Sequence, residues 1–521
     1  MKKYCLVSLG VISLLAVSCS SSPWPKIEKY SSSAQIKIEG GDGGVVKPED
    51  VTITDTLNSM ESKSLYNLQT LPSTGDVNIL VIPVVIPGYE TIDIDQDGKD
   101  DSTRVREDLQ KAFFSHNDDG VFESVSDFYY RSSYGKLRLG GTVTDYFSIE
   151  NDSDLKFDTA ANIGLNETYS VVKAAVQWAK DSEGIDLTEY DNDKDGYIDG
   201  VWCIYTAPDY QNGGPNSSDS GNNFWAYTSW GNQTPGSTSV NGGESPDVED
   251  PVYNLFGWAS YDFMYENYAL KKVDTHTYIH ETGHFLGLND YYSEDSRYSP
   301  IGKVDMQDGN IIDHNSYSKM LLGWTKPYIA YGQAEIKINT MEDENSFIVI
   351  PSDSAERSNS FNPFSEYILI ELYTNEGLNY QDSQQQIKDR PLAMNDKGVR
   401  IYHIDNRPMI YDKSQKKATF YQAGDVVDAE HRLIFPITNS RSSNTNNTSL
   451  GVDTSINLFD EIRLIEPKGK DTFSYGGKQS SKTLFKSGKT FSLSEFGNFF
   501  VSGKLNSGES LSERVTIEEV K

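Results

Sequence analysis

The spacing of apolar residues divides the chain into a part with mixed helices and strands and a part dominated by short strands. The apolar run VNILVIPVVIP, residues 77–87, predicts a buried strand, and TYSVVKAAVQWAKD, residues 168–181, has the spacing of an amphipathic helix. From about residue 331, alternating segments such as AEIKI, FIVI and YILIEL predict strands between turns rich in Asn, Ser and Gly. The pattern predicts an α+β protein with a β-sandwich-type region over residues 331–521.

The first 19 residues predict export from a bacterial cell. MKKYCLVSLGVISLLAVSC begins with two lysines, continues with an apolar run of signal-peptide length and ends at Cys19. LLAVSC resembles a bacterial lipobox with Cys19 as the acylated first residue of the mature chain, and a plain secretory signal is the alternative. We therefore expect either a lipoprotein of the cell envelope, with membrane contact only through its N-terminal lipid anchor, or a secreted protein.

Composition limits the domain organisation and the partners. Residues 20–75 are polar and contain GGDGG, which predicts a tether or pro-region before a domain at 76–330. The chain has 521 residues, of which 37% are hydrophobic, so it can bury cores in two or three domains. Its formal net charge of −31 argues against nucleic acid as a partner, because nucleic acid binding requires a basic face. Only Cys203 remains as a thiol once Cys19 is acylated, so no disulfide framework is expected.

The stretch IHETGHFLGLNDYY, residues 279–292, has the spacing of a catalytic zinc site. In a helix His280 and His284 lie one turn apart on the same face, so both imidazoles can bind one ion. Glu281 is rotated by about 100° from His280 and suits the role of general base rather than ligand. Gly287 can turn the chain so that Asp290 becomes the third ligand, which leaves a fourth position for water. The alternative is an amphipathic helix with two surface histidines and no metal.

His276 lies one further turn upstream on the same face as the two predicted ligands. It is eight residues from His284, which is about 12 Å along a helix axis. Because zinc–nitrogen bonds are about 2.1 Å long, the two residues cannot hold the same ion. We therefore expect His276 to be a packing residue or a residue that orients a ligand.

Two acidic stretches have the spacing of calcium loops. In DNDKDGYID the predicted calcium ligands are the side chains of Asp191, Asp193, Asp195 and Asp199 and the carbonyl of Tyr197. Trp202 stands where an EF-hand carries its bidentate Glu, so the loop is interpreted as a structural calcium loop that leads into a strand. DIDQDGKDD repeats the pattern, with Asp93, Asp95, Asp97 and Asp101 as ligands. The alternative for both stretches is a solvated acidic turn.

The zinc motif also carries a family resemblance. HETGHFLGLND resembles the H-E-x-x-H-x-x-G-x-x-D signature of the immune inhibitor A family of secreted bacterial zinc metallopeptidases, relatives of the metzincins in which Asp replaces the third His. The chain departs at Asn289, where the family is expected to have Pro, and this affects the rigidity of the loop rather than a ligand. Further segments that resemble the family, in the same order, are residues 77–87, 124–147, 190–207, 304–327, 365–379 and 398–405.

The resemblance implies a zincin- or metzincin-like catalytic domain at 76–330, with a twisted sheet and an active-site helix. It places Met306 in the methionine turn below the zinc, and it makes Tyr317 and His314 candidates for stabilising the oxyanion. The implied activity is that of a zinc endopeptidase acting on proteins or peptides, with calcium as a structural cofactor. The alternative from another functional class is a surface adhesin or binding protein on a peptidase scaffold that has lost catalysis.

Overall fold

The computed structural model shows a mixed α+β protein, which confirms the predicted class. The predicted signal sequence with Cys19 lies outside the described residues, and the described part of the chain contains no helix with the length and apolarity needed to cross a bilayer. The structure describes residues 23–52, 69–118, 120–152, 154–157, 159–215, 223–232, 244–266, 271–292, 299–353, 364–407, 409–412, 414–415, 417–420, 425–426, 430–434 and 460–521.

The first sheet contains six strands and forms the centre of the region predicted as the catalytic domain. Its order is β3-β2-β5-β7-β6, and β4 pairs with the end of β2. β2, β3, β5 and β7 are parallel, whereas β6 runs antiparallel at the edge. The residues of β5 and β7 are buried throughout, as expected for parallel strands covered on both faces. The strands are β2 (Gly75–Val85), β3 (Leu137–Val143), β4 (Phe147–Ser148), β5 (Val201–Tyr205), β6 (Tyr227–Trp230) and β7 (Leu255–Ser260).

Helices of this region follow the apolar spacing of the sequence. The helix predicted from residues 168–181 is α3, and its buried residues Val171, Val172, Ala175, Val176 and Ala179 form the expected apolar face. The α-helices of the described residues are α1 (Ser102–Phe114), α2 (Val125–Ser132), α3 (Leu165–Asp181), α4 (His276–Phe285), α5 (Met306–Gly309), α6 (Ser316–Leu321) and α7 (Tyr380–Gln384).

The second sheet contains eight strands in the order β15-β11-β10-β9-β8-β1-β17-β16. All neighbours are antiparallel except β8 and β9. A separate three-stranded sheet, β13-β12-β14, follows β11. A β-sandwich for residues 331–521 stays a prediction. The strands are β1 (Ser33–Val46), β8 (Tyr328–Asn339), β9 (Phe347–Pro351), β10 (Glu366–Tyr373), β11 (Gly398–Asp405), β12 (Met409–Asp412), β13 (Lys417–Phe420), β14 (His431–Ile434), β15 (Ile462–Leu464), β16 (Thr490–Phe491) and β17 (Arg514–Val520).

The segment predicted as a polar tether contains an inner strand of this second sheet. β1 lies between β8 and β17, and Ile36 is opposite Ile336 on one side and Ile517 on the other. Ile36 and Ile38 are fully buried. The alternation in SAQIKIEG is a strand signal, but it is short and lies between polar stretches, so composition alone favoured a tether. The structure therefore differs from the prediction for residues 33–46.

The predicted boundary near residue 330 does not separate two cores. One hydrophobic cluster includes Phe285 and Trp324 from the first region together with Phe347, Tyr367 and Tyr402 from the strands of the second. The two sheets therefore share packing, and residues of the second region lie close to the predicted zinc motif.

Truncation of a β1 side chain tests whether this strand contributes to stability. We expect Ile36→Ala to lower the free energy of unfolding by about 2–5 kcal/mol, because it removes a fully buried side chain between two strands. Lys37→Ala is the control on the same strand, and its effect should stay within about 0.5 kcal/mol because Lys37 is partly exposed. Urea denaturation measures both values. Equal, small effects of the two changes would show that β1 is not part of the stable fold.

Candidate metal centre

Helix α4 presents the zinc motif from a buried position. Of its ten residues only His284 is not buried. The helix ends where Gly287 adopts a φ of +92°, a conformation that glycine accepts without strain. The Gly287 N–H donates to the carbonyl of His284 at 2.9 Å, and the Leu288 N–H donates to the carbonyl of Gly283 at 3.0 Å. These two hydrogen bonds form a turn that reverses the direction of the chain, as predicted from Gly287.

The turn brings the three predicted zinc ligands together. The Nε2 atoms of His280 and His284 are 3.2 Å apart. Asp290 Oδ1 lies 3.1 Å from Nε2 of His280 and 3.3 Å from Nε2 of His284. Tetrahedral zinc with bonds of about 2.0–2.1 Å separates its ligand atoms by about 3.3 Å, so the three donors fit one zinc ion.

Hydrogen bonds on the far side of each ring fix its orientation. His280 Nδ1 lies 2.7 Å from the carbonyl oxygen of Met306, and His284 Nδ1 lies 2.7 Å from that of Leu288. Since a carbonyl only accepts, both Nδ1 atoms carry a proton and donate it, which leaves both Nε2 atoms on the side that faces Asp290. The two rings are therefore oriented as metal ligands.

The charges at the site also suit a cation. Burial lowers the pKa of His284, but the Asp290 carboxylate outweighs burial and raises this pKa to about 10. Burial raises the pKa of Asp290, and the two histidines reverse that effect and hold the pKa well below its usual range. In the protein alone, a proton on the His284 ring therefore balances the charge of the Asp290 carboxylate. Zinc would displace that proton, because zinc binds neutral imidazole.

Glu281 lies beside the three predicted ligands His280, His284 and Asp290. One of its carboxylate oxygens lies within 4.8 Å of a ring nitrogen of both His280 and His284. Thr228 on the edge strand β6 donates to Glu281 Oε2 at 3.1 Å and fixes the carboxylate. This is the position expected for a base that faces a water molecule on the fourth side of the ion.

The residues assigned to the methionine turn and the oxyanion occupy different kinds of positions. Met306 is fully buried at the start of α5, and its carbonyl accepts the His280 bond. The Tyr317 hydroxyl donates to Asn406 at 2.6 Å and to Glu461 at 2.5 Å, so it is engaged in the second region. His314 is buried against Phe128, and burial lowers its pKa. Both ring nitrogens of His314 are buried without a hydrogen-bond partner among the described residues, and a role of Tyr317 or His314 at the oxyanion stays a prediction.

A tyrosine missed by the sequence argument lies at the site instead. Tyr292 bonds through its hydroxyl to the Asp290 side chain, and its ring is parallel to that of His280 with centroids 6.5 Å apart. The negative charge of Asp290, followed by burial, raises the pKa of Tyr292, so the phenol keeps its proton. The sequence could have indicated Tyr292 only through its position two residues after Asp290, because it belongs to no periodic pattern.

His276 has the structural role predicted for it. Its Nδ1 lies 2.7 Å from Asp274 Oδ1 and its Nε2 lies 3.1 Å from Asp382 Oδ1, and the ring stacks on Phe122 at 3.7 Å. Burial lowers the pKa of His276, but Asp382 and Asp274 outweigh burial and raise it to about 9. Arg390 binds the other oxygen of Asp274 at 2.7 Å. This network joins the start of α4 to α7.

In the loop at 191–199, several carboxylates point to a common centre. Asp191 accepts the N–H groups of Asp195 and Gly196, both at 3.0 Å, and oxygens of Asp191, Asp193 and Asp195 lie within 4.8 Å of one another. Asp199 is fully buried and accepts from Asn192, but its Oδ1 has no hydrogen-bond partner among the described residues. Burial raises the pKa of Asp195 to about 6 and that of Asp199 to about 7.

The loop at 93–101 repeats this backbone arrangement with one difference. Asp93 accepts the N–H groups of Asp97 and Gly98, at 3.0 and 2.8 Å. Asp93, Asp95 and Asp101 converge within 4.8 Å, whereas the Asp97 carboxylate pairs with Lys99. Three of the four predicted ligands are therefore brought together, and Asp97 is not. Calcium in both loops stays a prediction.

Removing the charge of the third ligand tests the zinc assignment. Changing a residue that only hydrogen-bonds to a metal ligand typically lowers metal affinity by about 10- to 100-fold. We expect Asp290→Asn, which changes a ligand itself, to lower zinc affinity by more than this, because the amide lacks the negative charge that balances the ion. Asp389→Asn, the same change at an exposed position, should retain zinc. Competition with a chromophoric chelator measures both affinities. Unchanged affinity of the Asp290 variant would show that the triad is not the zinc site.

Calcium dependence tests the acidic loops. Free calcium at about a hundred times its dissociation constant should add about 2.7 kcal/mol to stability and raise the melting temperature. Asp193→Ala with Asp195→Ala should remove most of this response while zinc content persists, because the zinc ligands lie elsewhere. The control Glu183→Ala with Asp389→Ala removes the same charge at exposed positions and should keep the response. A wild-type melting curve indifferent to calcium would mean that the loops are solvated turns.

Comparisons with known proteins leave the family open. No protein-family model matches the chain, and no curated protein matches it. The resemblance to the immune inhibitor A family therefore depends on the quoted motifs, and the function drawn from it is a proposal.

Proposed function

We propose that the chain is an exported zinc endopeptidase, anchored at the cell surface through Cys19 or secreted, that hydrolyses peptide bonds of proteins. The observation that carries the proposal is the triangle of His280 Nε2, His284 Nε2 and Asp290 Oδ1, with edges of 3.1–3.3 Å. On an ordinary helix, two surface histidines would not both be oriented through Nδ1 and balanced by a carboxylate, and His280 is in addition buried. The zincin- or metzincin-like fold of 76–330 is part of this proposal.

The proposed chemistry divides between the metal and the protein. Zinc, when bound, acts as a Lewis acid that polarises the scissile carbonyl and lowers the pKa of water towards neutrality. Glu281 takes the proton of the attacking water and returns it to the leaving amine. Thr228 holds the Glu281 carboxylate through Oε2, which leaves Oε1 to face the water. The Tyr292 hydroxyl bonds to the Asp290 side chain at this site, so we propose it as the donor to the oxyanion.

The position of β6 supports a polypeptide substrate. β6 is the edge strand of the six-stranded sheet, and Thr228 on this strand contacts Glu281. An extended peptide that pairs with an edge strand gains main-chain hydrogen bonds along its length. Such a substrate would pass directly in front of the proposed base, which favours an endopeptidase over a hydrolase of small molecules.

Exchange of the proposed base separates catalysis from metal binding. We expect Glu281→Gln to lower kcat on casein by about 10²–10⁴-fold, because the amide cannot accept the proton, while zinc content is unchanged. Glu183→Gln, the same change at an exposed position, should keep full activity. Casein hydrolysis is measured with and without a chelator, beside metal analysis of each protein. Near-normal turnover of the Glu281 variant would contradict its role, and a zinc-loaded wild type without chelator-sensitive hydrolysis would favour the adhesin.

A further inference from the structure

We propose that Glu461, from the second region, is a positioning residue that fixes the zinc-ligand loop through Asn289. This inference rests on the proposed function, because it concerns the same metal centre. Asn289 Nδ2 donates to Glu461 Oε2 at 2.7 Å, across 172 residues of sequence. Glu461 is almost completely buried at 1% exposure.

The loop that carries Asp290 is held at almost every residue. Leu288 donates its N–H to Gly283 and accepts His284 Nδ1 through its carbonyl. The Tyr291 N–H donates to the carbonyl of Gln307 at 2.7 Å. Between these two anchors, the polar contact made by Asn289 is the bond to Glu461. We infer that the Asn289 contact limits the rotation of the loop and so helps to keep Asp290 Oδ1 within 3.3 Å of both rings.

Glu461 is itself held firmly enough to serve as an anchor. Its Oε1 accepts the Tyr317 hydroxyl at 2.5 Å, and its backbone carbonyl accepts the N–H of Asp405 at the end of β11. Directly after it, β15 pairs with β11, and the Leu464 N–H donates to the carbonyl of Pro300. The carboxylate is thus fixed by a sheet that is separate from the one below the active site.

The position of Asn289 in the loop suggests why a distant residue is needed. A proline at 289 would stiffen the loop by its own ring, whereas asparagine leaves the backbone free to rotate. Proline at 289 would remove no backbone hydrogen bond among the described residues, and Leu288 before it is not helical. The bond to Glu461 thus restrains Asn289 through a tertiary contact, because asparagine does not restrain its own backbone as proline would.

Zinc release measures this role without the catalytic reaction. We expect Asn289→Ala and Glu461→Ala to release zinc to a chelator about 10- to 100-fold faster than wild type, as for other partners of metal-ligand residues. Glu461→Gln should stay within about twofold of wild type, because its amide oxygen can still accept from Asn289 and its amide nitrogen can donate to Tyr317. Asp471→Asn is the matched control, because it weakens an ion pair with Arg463, two residues after Glu461, and leaves the contacts of Glu461 with Asn289 and Tyr317 intact.

A double variant tests whether the effect passes through residue 289. Asn289→Pro combined with Glu461→Ala should release zinc at close to the wild-type rate, because the ring replaces the lost restraint. The visible absorption of the cobalt-substituted protein should change in Asn289→Ala and return in the double variant, which reports the ligand geometry. Asn289 is half-buried on a loop, so its alanine variant should fold even if Glu461→Ala does not.

Three results would overturn the proposal. They are zinc release from Asn289→Ala at the wild-type rate, release from Asp471→Asn as fast as from Glu461→Ala, and a double variant as fast as Glu461→Ala alone. A wild-type chain that binds no zinc would instead contradict the proposed function itself. A wild-type chain that binds zinc and cleaves casein, with Asn289→Ala unchanged, would contradict only the positioning role.

Discussion

The arrangement of the candidate site depends on holding two imidazole nitrogens and one carboxylate oxygen about 3.3 Å apart in a buried place. Under the proposed function a metal ion would displace the proton on His284 and take all three groups as ligands. Two of the donors are fixed by helical geometry, because His280 and His284 are one turn apart. The third depends on the turn at Gly287 and on everything that keeps the following loop in place.

Helix α4 must therefore be held in place at both ends, and its packing shows which contacts hold it. Phe285 stacks on Trp202 of β5 with centroids 5.3 Å apart, and Gly200 leaves room for this ring, since a Cβ there would lie 2.9 Å from it. At the other end, the charged network around His276 ties the helix to Arg390 and Asp382. Buried ion pairs of this kind stabilise little by themselves, but the loss of one partner is costly. They fix position more than they add stability.

Features of the site that follow from local spacing could be predicted, and features that depend on distant contacts could not. The placement of His280, His284 and Asp290 follows from helix periodicity and one glycine, and both acidic loops follow from the spacing of their aspartates. Nothing in local spacing links Asn289 to Glu461. Tyr317 was proposed as a donor because of its position in the motif, yet its hydroxyl is engaged by Asn406 and Glu461. β1 was missed because its pairing is with strands hundreds of residues away.

Trp202 connects the acidic loop to the metal centre. An EF-hand would carry a bidentate glutamate at this position, where the chain instead has a large apolar residue on a buried strand. The position thus serves packing, because Trp202 contacts both Phe285 and Tyr278 of α4. Ordering of residues 191–199 fixes the start of β5, and β5 fixes the helix through this one side chain. A cation in the loop would therefore affect the geometry of the zinc ligands although it touches none of them.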